Sequence, residues 1–262
     1  MFDFHNERKW YFDMQTLNAE TYVLPFIEEK FPITPGMRVL EIGCGEGGVI
    51  KAFVKRGLTG VAVELSSGKF KMASEWLSEY ISSKQINLIS SNIYDTSVEA
   101  LGGTFDIIVL KDVIEHIHDQ AKIMAYMATL LNPGGIIFFG FPPWHMPFGG
   151  HQQICHGKWM SRLPYYHLLP MPIYKWFLRI MGEGPNVAGL AEIKETGITI
   201  ERFERIAKQT NFEILHHRHY LINPIYEYKF KLKPRVQFGF IKALPWIRNF
   251  FTTCVYYTLR QK

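Results

Sequence analysis

The stretch Val39-Leu40-Glu41-Ile42-Gly43-Cys44-Gly45-Glu46-Gly47-Gly48 constrains this chain more than any other part of it. An apolar run ends in a glycine-rich loop. Val49, Ala52 and Phe53 then recur at helical spacing until Gly57 ends the pattern. A strand that turns this tightly into a helix needs glycines, for the backbone angles of the turn and to let a ligand approach the main chain. The run at 37–43 is followed by others at 61–65, 86–90, 105–110 and 136–141, with helical patterns between them. One helix starts at Ser66 or Ser67 and buries Phe70, Ala73, Leu77 and Ile81. Another is capped by Asp119 and stopped by Asn132-Pro133-Gly134-Gly135. This alternation predicts an α/β fold, a mostly parallel sheet with helices on both faces.

Beyond residue 141 the alternation breaks. Residues 143–197 are rich in Pro, Gly, His and aromatics and too long for a simple connection, so they read as an inserted lid. Thr199 opens a further helix, and 212–221 with 226–232 read as two closing strands around a proline-containing turn. Tyr22, Leu24, Phe26 and Ile27 suggest a helical cover over residues 1–34. The expectation is one domain across 1–262. Three sparse cysteines, Cys44, Cys155 and Cys254, and a charged start with no signal-peptide core point to a reducing, cytoplasmic setting. The net charge of +5 is uneven. From Glu201 onward twelve Lys/Arg face four Asp/Glu, which gives +8 and leaves 5 − 8 = −3 for the first two hundred residues.

Gly43, Gly45 and Gly48 also fit the dinucleotide-binding pattern, so the acids around them decide between ligands. A dinucleotide sets a pyrophosphate over this loop, beside which Glu41 and Glu46 would be repulsive. A ligand carrying an ammonium and a sulfonium would be attracted instead. Glu64, at the end of the second strand, lies where a carboxylate can accept ribose hydroxyls, a feature common to both ligand classes.

Together with this loop and Glu64, three further segments resemble the class I S-adenosylmethionine-dependent methyltransferases. They are Ser91-Asn92-Ile93-Tyr94-Asp95, Phe105-Asp106-Ile107-Ile108 followed by Asp112-Val113-Ile114-Glu115-His116, and Leu131-Asn132-Pro133-Gly134-Gly135. The nearest likeness is to the small-molecule group that includes the ubiquinone-biosynthesis type, and it covers residues 35–141. The resemblance implies a Rossmann-like seven-stranded sheet in the order 3-2-1-4-5-7-6 with an antiparallel C-terminal hairpin. It implies S-adenosyl-L-methionine as cofactor. Glu41, Gly43, Cys44 and Gly45 would hold its methionine part, Glu64 its ribose, and Asn92 and Ile93 its adenine edge, with Leu65 a further cofactor contact. Lys111 and Asp112 would line the floor near the methyl group. The implied reaction is O-methylation of a small, apolar or lipid-like acceptor.

A hydroxyl acceptor loses a proton on methylation, so a general base helps. His145 and His151, in the loop after the fifth strand, are the candidates. No metal site is expected, because His145, His151, Cys155 and His156 match no tight ligand spacing. The basic, aromatic tail suits a peripheral membrane or lipid contact, and equally a homodimer surface. The Asn/Asp-Pro-Pro-aromatic tetrad of exocyclic-amine nucleic-acid enzymes is replaced by Lys111-Asp112-Val113-Ile114, which argues against nucleic acid as a partner. A nucleic-acid or protein methyltransferase, or a binder of the cofactor without activity, remain the competing readings.

Overall fold

Neighbouring residues on each strand of this protein enter different cores. Leu40 and Ile42 pack in one cluster and Val39 in another; Ile108 and Leu110 oppose Ile107 and Val109; Phe139 and Phe141 oppose Phe138. A period of two with both sides apolar is what a sheet covered on both faces requires.

The computed structural model describes residues 7–262. Helix α1 (Arg8–Asn18) continues through a π-helical stretch (Ala19–Val23) into α2 (Leu24–Glu28). Then come β1 (Arg38–Ile42), α3 (Gly48–Lys55), β2 (Thr59–Glu64), α4 (Ser67–Trp76), α5 (Ser78–Ser82) and β3 (Ile86–Ser90). β4 (Phe105–Lys111), α6 (Gln120–Ala128) and β5 (Leu131–Phe141) follow. The rest is α7 (Met171–Ile180), α8 (Val187–Thr196), α9 (Ile200–Gln209), β6 (Phe212–Ile222), α10 (Tyr226–Phe230), β7 (Arg235–Val236), α11 (Gly239–Lys242), α12 (Ile247–Phe250) and β8 (Cys254–Gln261). Of the helical cover expected over residues 1–34, residues 1–6 lie outside the described part. Among the described residues no helix is long and apolar enough to cross a membrane.

The sheet has eight strands in the order β3-β2-β1-β4-β5-β8-β6-β7. Strands β1 to β5 pair in parallel, and β8 runs antiparallel to both β5 and β6. Helices α6 and α9 cover one face, through Ile123, Met127, Phe203 and Ile206. Helices α1 to α4 cover the other, through Phe12, Leu24, Phe53 and Ala73. Two of the predicted caps form: Asp119 accepts from the Lys122 amide at 2.9 Å and Thr199 from the Arg202 amide at 3.1 Å, whereas Ser66 stands at the start of α4 without a side-chain cap bond. Between β5 and α9 the chain builds a small core of its own from Cys155, Met160, Tyr166, Tyr174, Leu178 and Leu190.

Two expectations need correction. Residues 226–232 are not a closing strand, because Tyr226–Phe230 is a short helix. The antiparallel partner is β8, inserted between β5 and β6. Lysines alternating with apolar residues suit only an edge, since a central position would strip them of water. Cys254-Val255-Tyr256-Tyr257-Thr258-Leu259 carries no charge and is buried throughout. The second correction is the strand count. The two-residue β7 adds an eighth strand to the seven expected, while the main seven keep the implied order with β8 in the seventh place.

The placement of β8 predicts a ranking. Leu259→Ala, at a fully buried site, should cost about 2–5 kcal/mol, and Leu232→Ala, at an exposed one, below about 1 kcal/mol. Urea unfolding of the two variants measures this, and a strand over 226–232 would invert the order.

Candidate active site

The turn after β1 is bent toward β2 by two amides, Gly43 and Cys44, which both donate to the Val63 carbonyl at 2.8 and 3.2 Å. Gly43 has φ +69, and a Cβ there would lie 2.7 Å from Val113 Cγ2, so only glycine fits. Two carboxylates brace the loop from the strand ends. Glu64 accepts from the Gly45 amide and the Ser66 amide, each at 2.7 Å. Glu41 accepts from the Ile50 amide in the first turn of α3 at 2.7 Å. Helix α1 lies across the loop. Thr16 Oγ1 donates to the Gly48 carbonyl at 2.9 Å, and a Cβ on Gly48 would meet the Phe12 carbonyl oxygen at 2.5 Å. Arg8 pairs with Glu46 at 3.0 Å.

The electrostatics of the two loop acids differ from a simple picture of two free charges. Burial pushes the Glu41 carboxyl up to about 8, a rise that the Ile50 amide and the Lys111 charge only partly offset. Ligand-free, it is therefore mostly protonated at neutral pH, and Glu46 is neutralised by Arg8. A cation arriving beside Glu41 would favour its charged form.

Strand β4 delivers the second set of groups. The Lys111 ammonium, buried, contacts Asp112 Oδ2 at 2.6 Å and Gln15 Oε1 of α1 at 3.2 Å. Burial works against the Lys111 charge, but Asp112 and Tyr11 together outweigh it and hold the group above the ordinary lysine value. Asp112 stays below the usual carboxylate range: burial raises it, and Lys111, Lys229 and His151 together lower it by more. It adopts φ +57, with its amide donating to the Gly140 carbonyl at 2.7 Å. Glu115 is buried with neither carboxyl oxygen hydrogen-bonded, and burial together with the Asp112 charge pushes it well up.

The loop after β5 separates the two expected bases. His151 faces the cavity, its ring 4.9 Å from that of His116 and perpendicular to it within 20°. Burial and the neighbouring His116 push His151 down to about 3. His145 does not line the cavity; its ring stacks on Phe250 at 5.2 Å. The segment after β5 is tied by a third histidine, His167, that the sequence did not single out. Gln152 Nε2 donates to His167 Nδ1 at 2.9 Å, which leaves Nε2 to donate to the Trp144 carbonyl at 2.9 Å.

One cavity of about 340 Å³ joins these parts. Of the expected cofactor residues, Glu41, Gly43, Cys44, Gly45, Lys111 and Asp112 line it. Glu64, Leu65, Asn92 and Ile93 do not; they stand at the carboxyl ends of β2 and β3, paired side by side through Glu64 and Ser90. Asn92 spends its Oδ1 on the Tyr94 amide at 3.1 Å, Ile93 is buried, and Leu65 is 71% exposed. The other end of the cavity is more apolar, with Met146, Phe148, Ile154 and Ile225. The loop glycines, the acids and the carboxylate at the next strand end suit a cationic adenosyl ligand, so the residues present fit the expected cofactor. Glu115, His116 and His151 each bring a ligand atom within 4.8 Å of the others and could hold a divalent ion.

Sequence reasoning missed the roof. Tyr11 and Gln15 of α1 and Tyr226 and Lys229 of α10 line the cavity. Burial pushes Lys229 down to about 8, and its ammonium lies 5.0 Å from the centre of the Tyr11 ring. The N-terminal helical cover was expected, though not its contact with the cavity, and five residues of α10 carry no period to read.

Comparison with known proteins agrees with this arrangement. A family model described as a methyltransferase domain matches residues 16–217. The ubiquinone biosynthesis O-methyltransferase of Thiobacillus denitrificans is 33% identical over 116 residues, 44% of this chain and 48% of that protein. The enzyme of the same name from Vibrio parahaemolyticus is 28% identical over 116 residues, again 44% of this chain and 48% of the relative. The match thus spans about half the length of the curated relatives. Among solved structures, a sarcosine dimethylglycine methyltransferase described as putative, from Galdieria sulphuraria, superposes with a TM-score of 0.59 at 12% identity, covering 94% of this chain and 86% of that one. A magnesium protoporphyrin IX methyltransferase from Synechocystis, with S-adenosylhomocysteine bound, gives 0.55 at 12% identity over 95% and 84%. At such identity these two speak for the fold.

The buried Glu41 makes a pH prediction. Its folded pKa lies above its value of 4.5 in the open chain, so its contribution favours the fold below about 4.5 and is lost as pH rises through about 8. Glu41→Gln keeps an acceptor for the Ile50 amide and removes the titration. The ligand-free variant should therefore gain on the wild type between these pH values, by at most about 5 kcal/mol. Urea unfolding at pH 5 and pH 8 measures the difference; a gap that does not change with pH would show that the carboxyl is not held neutral.

Proposed function

We propose that this chain, which belongs to the methyltransferase-domain family, transfers a methyl group from S-adenosylmethionine to an oxygen of a small, apolar acceptor. One observation carries the reading. A single cavity runs from the glycine loop after β1, past Lys111 and Asp112, to His151 and the apolar side chains beyond β5. Donor and acceptor subsites of an in-line transfer must share such a space.

When bound, S-adenosylmethionine supplies an activated methyl on a sulfonium, so that a carbon–sulfur bond breaks as the carbon–oxygen bond forms. The chain's own residues do the rest. The backbone of Gly43 and Gly45 and the carboxyl of Glu41 hold the amino-acid end. Glu64 has lone pairs left after its two amide contacts and accepts the ribose hydroxyls. Leu65, uncovered at the strand end, packs on the adenine together with Asn92 and Ile93. Lys111 and Asp112 form the floor, where their mutual pairing keeps both charges in place. Met146, Phe148 and Ile154 exclude water from the acceptor. His151, uncharged at neutral pH because burial depresses its pKa, takes the hydroxyl proton. We read residues 143–197 as a lid within one methyltransferase domain. The O-methyltransferases of ubiquinone biosynthesis that this chain resembles support oxygen as the acceptor atom.

Calorimetric titration of the ligand-stripped protein tests the premise. S-adenosylmethionine and S-adenosylhomocysteine should bind at micromolar concentration and NAD not at all; NAD binding in their place would refute the reading. His151→Ala should lower turnover of a phenolic acceptor about 10²–10⁴-fold with cofactor affinity unchanged. His145→Ala, away from the cavity, should leave turnover within about twofold. Equal losses in both variants would remove His151 from its assigned role.

A further inference from the structure

We propose that residues 230–251 form a docking surface for an anionic lipid bilayer and seat the cavity mouth against it. This names the partner of the same site and rests on the methyl-transfer reading only for the acceptor's route.

The segment is an excursion from the cavity rim. The chain leaves the lining at Lys229, travels through β7, α11 and α12, and returns to it at Thr253. Over those 22 residues there is no Asp or Glu. Lys231, Lys233, Arg235 and Lys242 form no ion pair among the described residues, whereas Arg248 is held by Glu201 and Glu204. Large apolar side chains stand in water along the same segment. Phe240 is 71% exposed, Trp246 59% and Val236 52%; Phe238, Leu244 and Phe251 are exposed as well. A soluble surface rarely leaves so many uncovered together.

The segment is anchored, so its apolar groups are presented and do not collapse inward. Asn249 is fully buried and bonds both the Ile200 amide and Glu201, and Gln237 Nε2 donates to the Phe251 carbonyl. From the lid side, Tyr165 donates to the Phe250 carbonyl at 3.3 Å.

Charge selects the occupant. A two-fold protein interface would set the patch against itself and bring four unpaired cations onto four others. A bilayer carrying anionic headgroups matches them, with aromatic and aliphatic side chains entering the headgroup boundary. Each cation should raise affinity for such a surface about fivefold. An apolar acceptor dissolved in the bilayer would then enter beside Tyr226 without crossing water.

Vesicle flotation of the full chain, with no acceptor or cofactor present, tests this. Vesicles of phosphatidylcholine with one quarter phosphatidylglycerol should bind the protein at least tenfold more tightly than phosphatidylcholine alone, and half-molar salt should weaken that binding. Phe240→Ser with Leu244→Ser, and separately Lys231→Glu with Lys233→Glu, should each cut binding at least tenfold while calorimetric affinity for S-adenosylmethionine stays unchanged. That affinity also certifies that the variants fold, and its absence in the wild type would be a failure of the methyl-transfer reading alone. No binding to either vesicle, equal binding to both, or wild-type binding by the variants would overturn the proposal. So would a wild-type dimer in light scattering that either variant turns into a monomer.

Discussion

The hydrogen-bonded ladder of β8 between β5 and β6 is the interaction on which the rest of this structure depends. Six register pairs join β8 to β5, from Ile136↔Arg260 to Phe141↔Val255, and the pairing with β6 runs from Phe212↔Gln261 to Tyr220↔Cys254. A strand in that position has no edge and no solvent, so its side chains must serve both cores. Val255, Tyr257 and Leu259 go to one and Cys254 and Tyr256 to the other. The same ladder brings Thr253 to the cavity and fixes the end of β6 from which Asn223, Tyr226 and Lys229 reach over it. This wall of the cavity therefore hangs on the last strand in the sequence.

The glycine-loop end of the cavity is held by few, short contacts. Carboxylates at the ends of β1 and β2 accept amides of the loop and of α3, and helix α1 closes over them. The bonds that these carboxyl groups accept from the Gly45 and Ile50 amides are short, at 2.7 Å. Both acids are thus structural as well as chemical. Glu41 braces α3 in whichever protonation state it holds, and regains its charge when a cation compensates it. The sequence argument that weighed Glu41 and Glu46 as two negative charges reached a ligand class that the family match supports. The structure instead buries one of them, which favours its neutral form, and sets the other in an ion pair.

Beyond the site, the chain divides its surface unevenly. The segment between β7 and β8 is tethered from beneath by Asn249 and Gln237 and carries its cations and aromatics outward. Most of the large apolar residues of this chain fill the two cores, and a share is held exposed on the rim of the cavity.

The glycine loop, the strand-end acids and the parallel strands were legible in the sequence because each is a local pattern. An apolar run of five or six residues, a turn that only glycine fits and a capping side chain act within one supersecondary unit. The order of elements from β1 to β5 followed from them. What the sequence could not decide is pairing between distant segments. Lysine alternation at 226–233 and the apolar run at 254–259 were both eligible as the last strand, and the choice depended on which could lose its water between two neighbours. The separation of His145 from His151 was equally beyond reach: they stand six residues apart, and the loop after β5 turns one onto Phe250 and the other toward His116. Local chemistry named the loop and its acids; only tertiary burial decided which charges survive there and which side chains meet the cavity.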